Sequence, residues 1–171
     1  MAIVKSLEKN EVNKTAQNVY EGFEQKTGNV PEWVKTMAHS PKILKEFTEL
    51  FRTIMEEGEI DTYLKWKIAY VVSETLKCEF CVSVTMNMLK KLGATDTLLK
   101  DISTMNNLTK KENNTLALVK DITIDGHLDN PKILDKLKKE FSEPQIVEIV
   151  SVIGLFNYIN RFNNALIILP I

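Results

Sequence analysis

The chain has 171 residues, long enough to bury one substantial core and short for two domains. Apolar residues make up 44% and charged residues 26%, the balance of an ordinary globular protein rather than a disordered or fibrous one. Twenty-two basic against 23 acidic side chains leave a net charge of −1, so no field of one sign draws in nucleic acid or an anionic membrane, and neither partner is expected.

Helix punctuation runs through the sequence and strand signals are weak. Residues 6–26 are polar and charged, with Val12, Ala16, Val19, Tyr20 and Phe23 at helical spacing, and Gly28 and Pro31 break the run. Pro31 can open a short helix, "PEWVKTMAH", because a first-turn residue needs no backbone N–H. In "HSPKILKEFTELFRTIMEEG", Ser40 is placed to cap, Pro41 to open and Gly58 to close. Ile43, Leu44, Phe47, Leu50, Phe51, Ile54 and Met55 form one apolar stripe of that helix. Asp61 can cap "TYLKWKIAYVVSETLK", which leads directly into "CVSVTMNMLKKLG", a helix ended by Gly93. Thr95 or Asp96 starts a short helix, and Thr109 with Glu112 forms a capping box for "KKENNTLALVKDITI". Residues 125–131, "DGHLDNP", read as a turn before "KILDKLKKEF". Ser142 and Gln145 make a second capping box for a last helix, 143–166, apolar nearly all the way round and therefore central or shared with another subunit. These elements predict an all-α fold of about eight helices in a single domain, 1–171.

The start, "MAIVKSLEKNEVNK", lacks the apolar run of a secretory signal. The most apolar stretch, "IVSVIGLF" at 149–156, falls far short of the about 20 residues a membrane span needs. A cytoplasmic location is expected, where a close Cys pair is more often catalytic or metal-binding than a structural staple.

The two cysteines, Cys78 and Cys81, stand in "KCEFCVSVTMN" at the expected junction of two helices. A helix N-terminus favours the thiolate, because unpaired N–H groups and the dipole point at it. Two intervening residues on a helical turn let the sulfurs approach for a disulfide, and a sulfenic acid formed on one thiol can be resolved by the other. Glu74, four residues before Cys78, is placed to take or hold a proton for that thiol. Burial as two small hydrophobes is the plain alternative. Structural zinc wants four ligands, and His39 and His127 lie far off without paired spacing, so no metal is implied. Each reads as a capping or surface histidine. With no glycine-rich phosphate loop and no ligand cluster, no cofactor is implied.

Three segments in order resemble the alkyl hydroperoxidase D-like proteins of the carboxymuconolactone decarboxylase superfamily, in their peroxidase-related branch, over roughly residues 20–168. They are "NVPEWVKTMAHSPKILKEFTELFRTIM", "CEFCVSVTMNMLKKLGAT" and "FSEPQIVEIVSVIGLFNYINRFNNAL". The resemblance implies an all-helical, homo-oligomeric protein, commonly a trimer or hexamer, with peroxidase and antioxidant chemistry. It makes Cys81 the peroxidatic thiol and Cys78 the resolving thiol that meets an external dithiol donor. The full family motif adds a His four residues after the second cysteine and a Glu twelve residues before the first; here those positions are Thr85 and Trp66. A threonine hydroxyl orients a proton but is a poor base, and Trp66 relays no proton to an acceptor. Glu74 with Thr85 is then the remaining proton-handling pair, while Trp66 and Phe80 read as packing residues and Asn157 and Arg161 as hydrogen-bond partners. The intact cysteine pair argues against the lactone decarboxylase activity of the superfamily's other branch. The expected function is reduction of small hydroperoxides or disulfides. The rival is a non-catalytic oligomeric binding or scaffold protein that keeps the fold with an eroded site. A third reading is a metal-linked assembly of Cys pairs from symmetry-related copies.

Overall fold

The computed structural model describes residues 3–128 and 131–170, and among these every regular element is helical. A 3-10 turn, Lys9–Glu11, precedes α1 (Lys14–Thr27), α2 (Glu32–Met37), α3 (Pro41–Met55), α4 (Thr62–Thr75) and α5 (Glu79–Lys91). Then come α6 (Asp96–Thr104), α7 (Lys110–Asp125), α8 (Pro131–Glu140) and α9 (Glu143–Leu166). The all-α expectation stands, with nine α-helices among the described residues where about eight were read. No helix among the described residues is long and apolar enough to cross a membrane.

Local chemistry explains most of the boundaries. Asp61 and Thr95 accept from the N–H groups of Leu64 and Leu98, and both capping boxes, Thr109 with Glu112 and Ser142 with Gln145, are complete. The first helix starts later than its polar run suggested. Asn13 caps it by accepting from Ala16 N–H, and a separate box between Glu8 and Glu11 shapes the turn before it. Ser40 stands at the cap position of α3 but its side chain makes no cap bond, so Pro41 alone opens that helix. Gly58 does not close α3, which ends at Met55 with Glu56 extended. A Cβ at Gly58 would collide with the Glu148 carboxylate, so the glycine is there for a close approach. Gly126 ends α7 in the left-handed conformation, and residues 129–130 of the expected 125–131 turn lie outside the described residues.

α4 is the centre of the packing. Every residue from Lys65 to Ser73 is buried, as its α5, α7 and α9 neighbours surround it. α9 presents Ile149, Val152, Ile153, Phe156 and Ile159 to the core, each worth about 1.5–3 kcal/mol of hydrophobic stabilisation. On the other side of α3 and α9, Ile43, Leu50, Val150 and Tyr158 remain exposed. They flank or line a groove of about 600 Å³ floored by Phe47, Ile54 and Leu155.

One ion pair ties these helices together. The Lys65 side chain is fully buried, and its Nζ donates to Ile54 O (2.8 Å), Glu56 O (2.6 Å) and Glu148 Oε1 (2.7 Å). Glu148 Oε2 accepts from Ile60 N–H at 2.7 Å. The ammonium thus satisfies free carbonyls at the end of α3 while α4 and α9 are joined at their N-terminal ends. Burial pushes the Glu148 carboxyl up, but Lys65 and the backbone N–H groups of Ile60 and Glu59 outweigh it and hold the group below its ordinary value. A second pair joins α4 to α7: Lys67 donates to Glu112 and lies 4.6 Å over the Tyr63 ring. The Lys67 bond first, then Thr109, holds Glu112 down to about 2.

Lys65→Met leaves the Glu148 carboxylate unpaired, and urea unfolding at neutral pH should show a loss of about 3–5 kcal/mol. Adding Glu148→Leu should restore part of that loss; an additive further loss would contradict the pairing. Both carboxyls have depressed folded values, so their stabilisation is complete above the unfolded carboxyl value of about 4.3 and is lost as pH falls through the folded value. Acid unfolding should therefore deepen from about pH 4.5 toward about pH 2, with a shallower slope in Glu112→Gln.

Candidate active site at the junction of two helices

α4 stops at Thr75 without a glycine. Lys77 takes the left-handed conformation (φ 54°), which lets Lys77 N–H bond Glu74 O at 3.2 Å and Cys78 N–H bond Ser73 O at 3.2 Å. The chain then turns into α5 with Cys78 as its cap residue. The Cys78 sulfur accepts from Cys81 N–H at 3.3 Å, in the role that serine, threonine or aspartate oxygen usually fills. Cys81 follows in the first helical turn. The two cysteines are disulfide-bonded, with Cα atoms 5.2 Å apart. Both are closed off from solvent, at 1% and 4% exposure.

α9 supplies the rest of the surroundings. Asn163 Nδ2 donates to Cys81 Sγ at 3.3 Å, and Asn164 Nδ2 donates to Leu76 O at 2.9 Å, pinning the junction itself. Asn160, one turn earlier and fully buried, donates to Phe156 O at 2.7 Å. The Oδ1 atoms of Asn160 and Asn163 are buried without a partner. These asparagines were not singled out from the sequence. Their signal was there: amides at 160 and 163 sit on the same face as the apolar residues of a helix expected to be central. Asn157 and Arg161 do serve as hydrogen-bond partners, with Arg161 donating to Asn157 Oδ1 (3.1 Å) and Thr123 O (3.4 Å).

The structure brings Cys78 and Cys81 together and bonds neither Glu74 nor Thr85 to a sulfur through its side chain. Thr85, fully buried, spends its hydroxyl proton on the helix behind it, at Cys81 O (2.8 Å) and Val82 O (3.2 Å). Glu74 accepts from Ser103 Oγ of α6 at 3.0 Å. Burial pushes the Tyr70 phenol up, and the Glu74 charge adds to it. Trp66 packs edge-on against Phe156 with ring centroids 6.0 Å apart. His39 Nε2 pairs with Lys5 O, and His127 Nδ1 with Asp125 O, both at exposed positions. Among the described residues no group of His, Cys, Asp or Glu is arranged to hold a metal ion.

Residues 41–121, from α3 to α7 and including both cysteines, match the carboxymuconolactone decarboxylase family model. No curated protein matches the sequence. Several solved structures share the fold. The debrominase Bmp8, in a cysteine-to-alanine variant bound to 2,3,4-tribromopyrrole, is 25% identical with a TM-score of 0.83, over 97% of this chain and 90% of that one. An uncharacterized peroxidase-related protein from Silicibacter sp. TM1040 is 22% identical with a TM-score of 0.86, over 100% and 95%. An alkylhydroperoxidase AhpD core protein from Ralstonia eutropha JMP134 is 16% identical with a TM-score of 0.88, over 99% and 92%. The helical fold expected from the sequence is therefore the fold of the AhpD-like peroxidase-related proteins.

Because the Thr85 hydroxyl is engaged by carbonyls of its own helix, Thr85→Val should change the rate of Cys81 alkylation in the reduced protein by less than about twofold. A loss near the about 10²–10⁴-fold typical of a removed acid–base group would instead make Thr85 a proton handler.

Proposed function

We propose that this chain, whose residues 41–121 match the carboxymuconolactone decarboxylase family model, is a thiol-dependent oxidoreductase working through the Cys78/Cys81 pair. The observation that carries the reading is the pair's position: Cys78 caps α5, Cys81 lies in its first turn, and the two sulfurs are within bonding reach. That end of a helix favours thiolates, and two cysteines held at bonding reach across one helical turn are suited to cycling.

For a hydroperoxide, the Cys81 thiolate attacks the terminal oxygen, the O–O bond breaks, and the departing alkoxide takes up a proton to leave as alcohol. Cys81 is then a sulfenic acid. The Cys78 thiol attacks its sulfur, an S–S bond forms, and the hydroxyl leaves as water. An external dithiol carrier returns the two electrons. A small disulfide is reduced by the same pair through a mixed disulfide. With both sulfurs covered, the acceptor enters by local opening around Leu76–Phe80. Assembly of the chain into a homo-oligomer is part of the reading.

The likeness to the debrominase favours a second acceptor class, a brominated heteroaromatic. The electron count is the same: one carbon–bromine bond and two thiols become one carbon–hydrogen bond, one disulfide and hydrogen bromide.

Single turnover separates these readings. Fully reduced protein is mixed with stoichiometric organic hydroperoxide, or with a brominated pyrrole, while free thiols, intact mass and released bromide are followed. The hydroperoxide reading expects an intramolecular disulfide in wild type, sulfenic acid trapped in Cys78→Ser, and no reaction in Cys81→Ser. Disulfide formation with bromide release from the pyrrole alone would assign the second class. If neither acceptor reacts faster than with a free small thiol, the peroxidase and debrominase readings fail, and the pair is left as a disulfide-exchange site or as part of the core.

A further inference from the structure

We propose that Asn163 is a positioning residue for Cys81, holding the reduced sulfur as a thiolate through its side-chain amide. The inference rests on the reading of the pair as redox-active, and it concerns the group that governs the sulfur when no acid–base side chain touches it.

Asn163 is 1% exposed and donates to Cys81 Sγ at 3.3 Å, from a helix that Asn164 fastens to the junction through Leu76 O. A disulfide sulfur has no proton to give, so the amide has to present its N–H to it. The other end of the same amide, Oδ1, is buried with no partner. Buried polar atoms of native proteins are nearly always paired, and an orphan of this kind calls for an explanation. Here the N–H contact to the sulfur fixes the amide, and Oδ1 is left over whether that contact is to a disulfide or to a thiolate. The terminal torsion of asparagine is broad, so the amide can turn without moving α9. Toward a protonated Cys81 thiol it can present Oδ1 as acceptor; toward the thiolate it presents N–H. The bond to the anion is charge-assisted and the stronger of the two, so the amide favours thiolate. Thr85 cannot take this part, because its proton is committed to Cys81 O and Val82 O.

The other charged groups on the elements packed around Cys81 are engaged or turned to solvent. Glu74 of α4 is held by Ser103 of α6, and Arg161 of α9 by Asn157 and Thr123 O. Lys77 and Glu79 are exposed at the junction. At the far ends of α4 and α9, Lys65 is paired with Glu148 and Lys67 with Glu112. Among the described residues, Asn163 is the one side chain from another element that donates to this sulfur.

The test is the pH profile of alkylation of each cysteine in fully reduced, folded protein, read by peptide mass after brief iodoacetamide pulses. In Asn163→Leu, nearly the same size but without the amide, the Cys81 midpoint should rise by about one pH unit, so that below the midpoint its labelling slows about tenfold. The Cys78 midpoint should stay in place. A merely structural role would lower thermal stability and leave both midpoints where they are in wild type. Should the leucine variant not fold, Asn163→Ala removes the same amide without adding bulk and gives the same reading. An unshifted Cys81 midpoint in either folded variant overturns the proposal. No electron acceptor enters this experiment, so a protein that reduces neither hydroperoxide nor bromopyrrole but shows the shift would sink the acceptor reading alone.

Discussion

The geometry of the cysteine pair depends on how α4 and α9 are locked side by side. At their N-terminal ends the buried Lys65 ammonium meets the Glu148 carboxylate, and at their C-terminal ends Asn164 holds Leu76 O while Asn163 reaches Cys81. The two helices therefore run in the same direction, fastened at both ends. Neither fastening is cheap. Taking an ammonium out of water costs several kcal/mol, offset here by two carbonyls and a carboxylate rather than by the ion pair alone. What the arrangement secures is registration: with Glu148 fixed against the loop at Gly58, the asparagines fifteen and more residues later fall opposite the junction.

Legibility from sequence followed the range of each interaction. Short-range chemistry was readable: the capping boxes at Thr109 and Ser142 and the bounds of α9 rest on residues within a turn of one another. So was the placement of the cysteines at a helix start, since "KCEFC" lies between two amphipathic runs. Long-range partners were not. Nothing near Lys65 in the chain marks it as buried, because its carbonyl and carboxylate partners come from the end of α3 and from a residue 83 positions away. Gly58 reads as a helix stop until the carboxylate it accommodates is seen. Asn163 and Asn160 are passed over in a helix read as apolar nearly all the way round, although an amide on a buried face is itself a sign of a specific partner.

Chemically the site is spare. Its sulfurs have a helix N-terminus and an amide, and the expected proton-handling pair is occupied elsewhere, Thr85 with backbone and Glu74 with Ser103. An environment of dipoles rather than titrating groups can set the state of a thiol, but it does little to deliver protons to a leaving group. On the oxidoreductase reading, a small disulfide, whose departing thiolate is stable without a proton, suits the site better than an acceptor whose leaving group must be protonated, as an alkoxide must. The fold is common ground for peroxidase-related proteins and a debrominase, so the choice of acceptor belongs to the residues around the sulfurs and not to the helices.

The oxidoreductase reading requires Cys78 and Cys81 to exchange electrons reversibly while the protein stays folded. The direct measurement is a redox titration of the wild-type protein in graded dithiol–disulfide buffers, quenched with an alkylating reagent and read by intact mass, with circular dichroism recorded alongside. Reversible interconversion of dithiol and one intramolecular disulfide, following a two-electron curve with an unchanged helical spectrum, is the expected result. Cysteines that stay in one state across the range, or that convert only as the helices unfold, would make the pair part of the core and contradict the redox role.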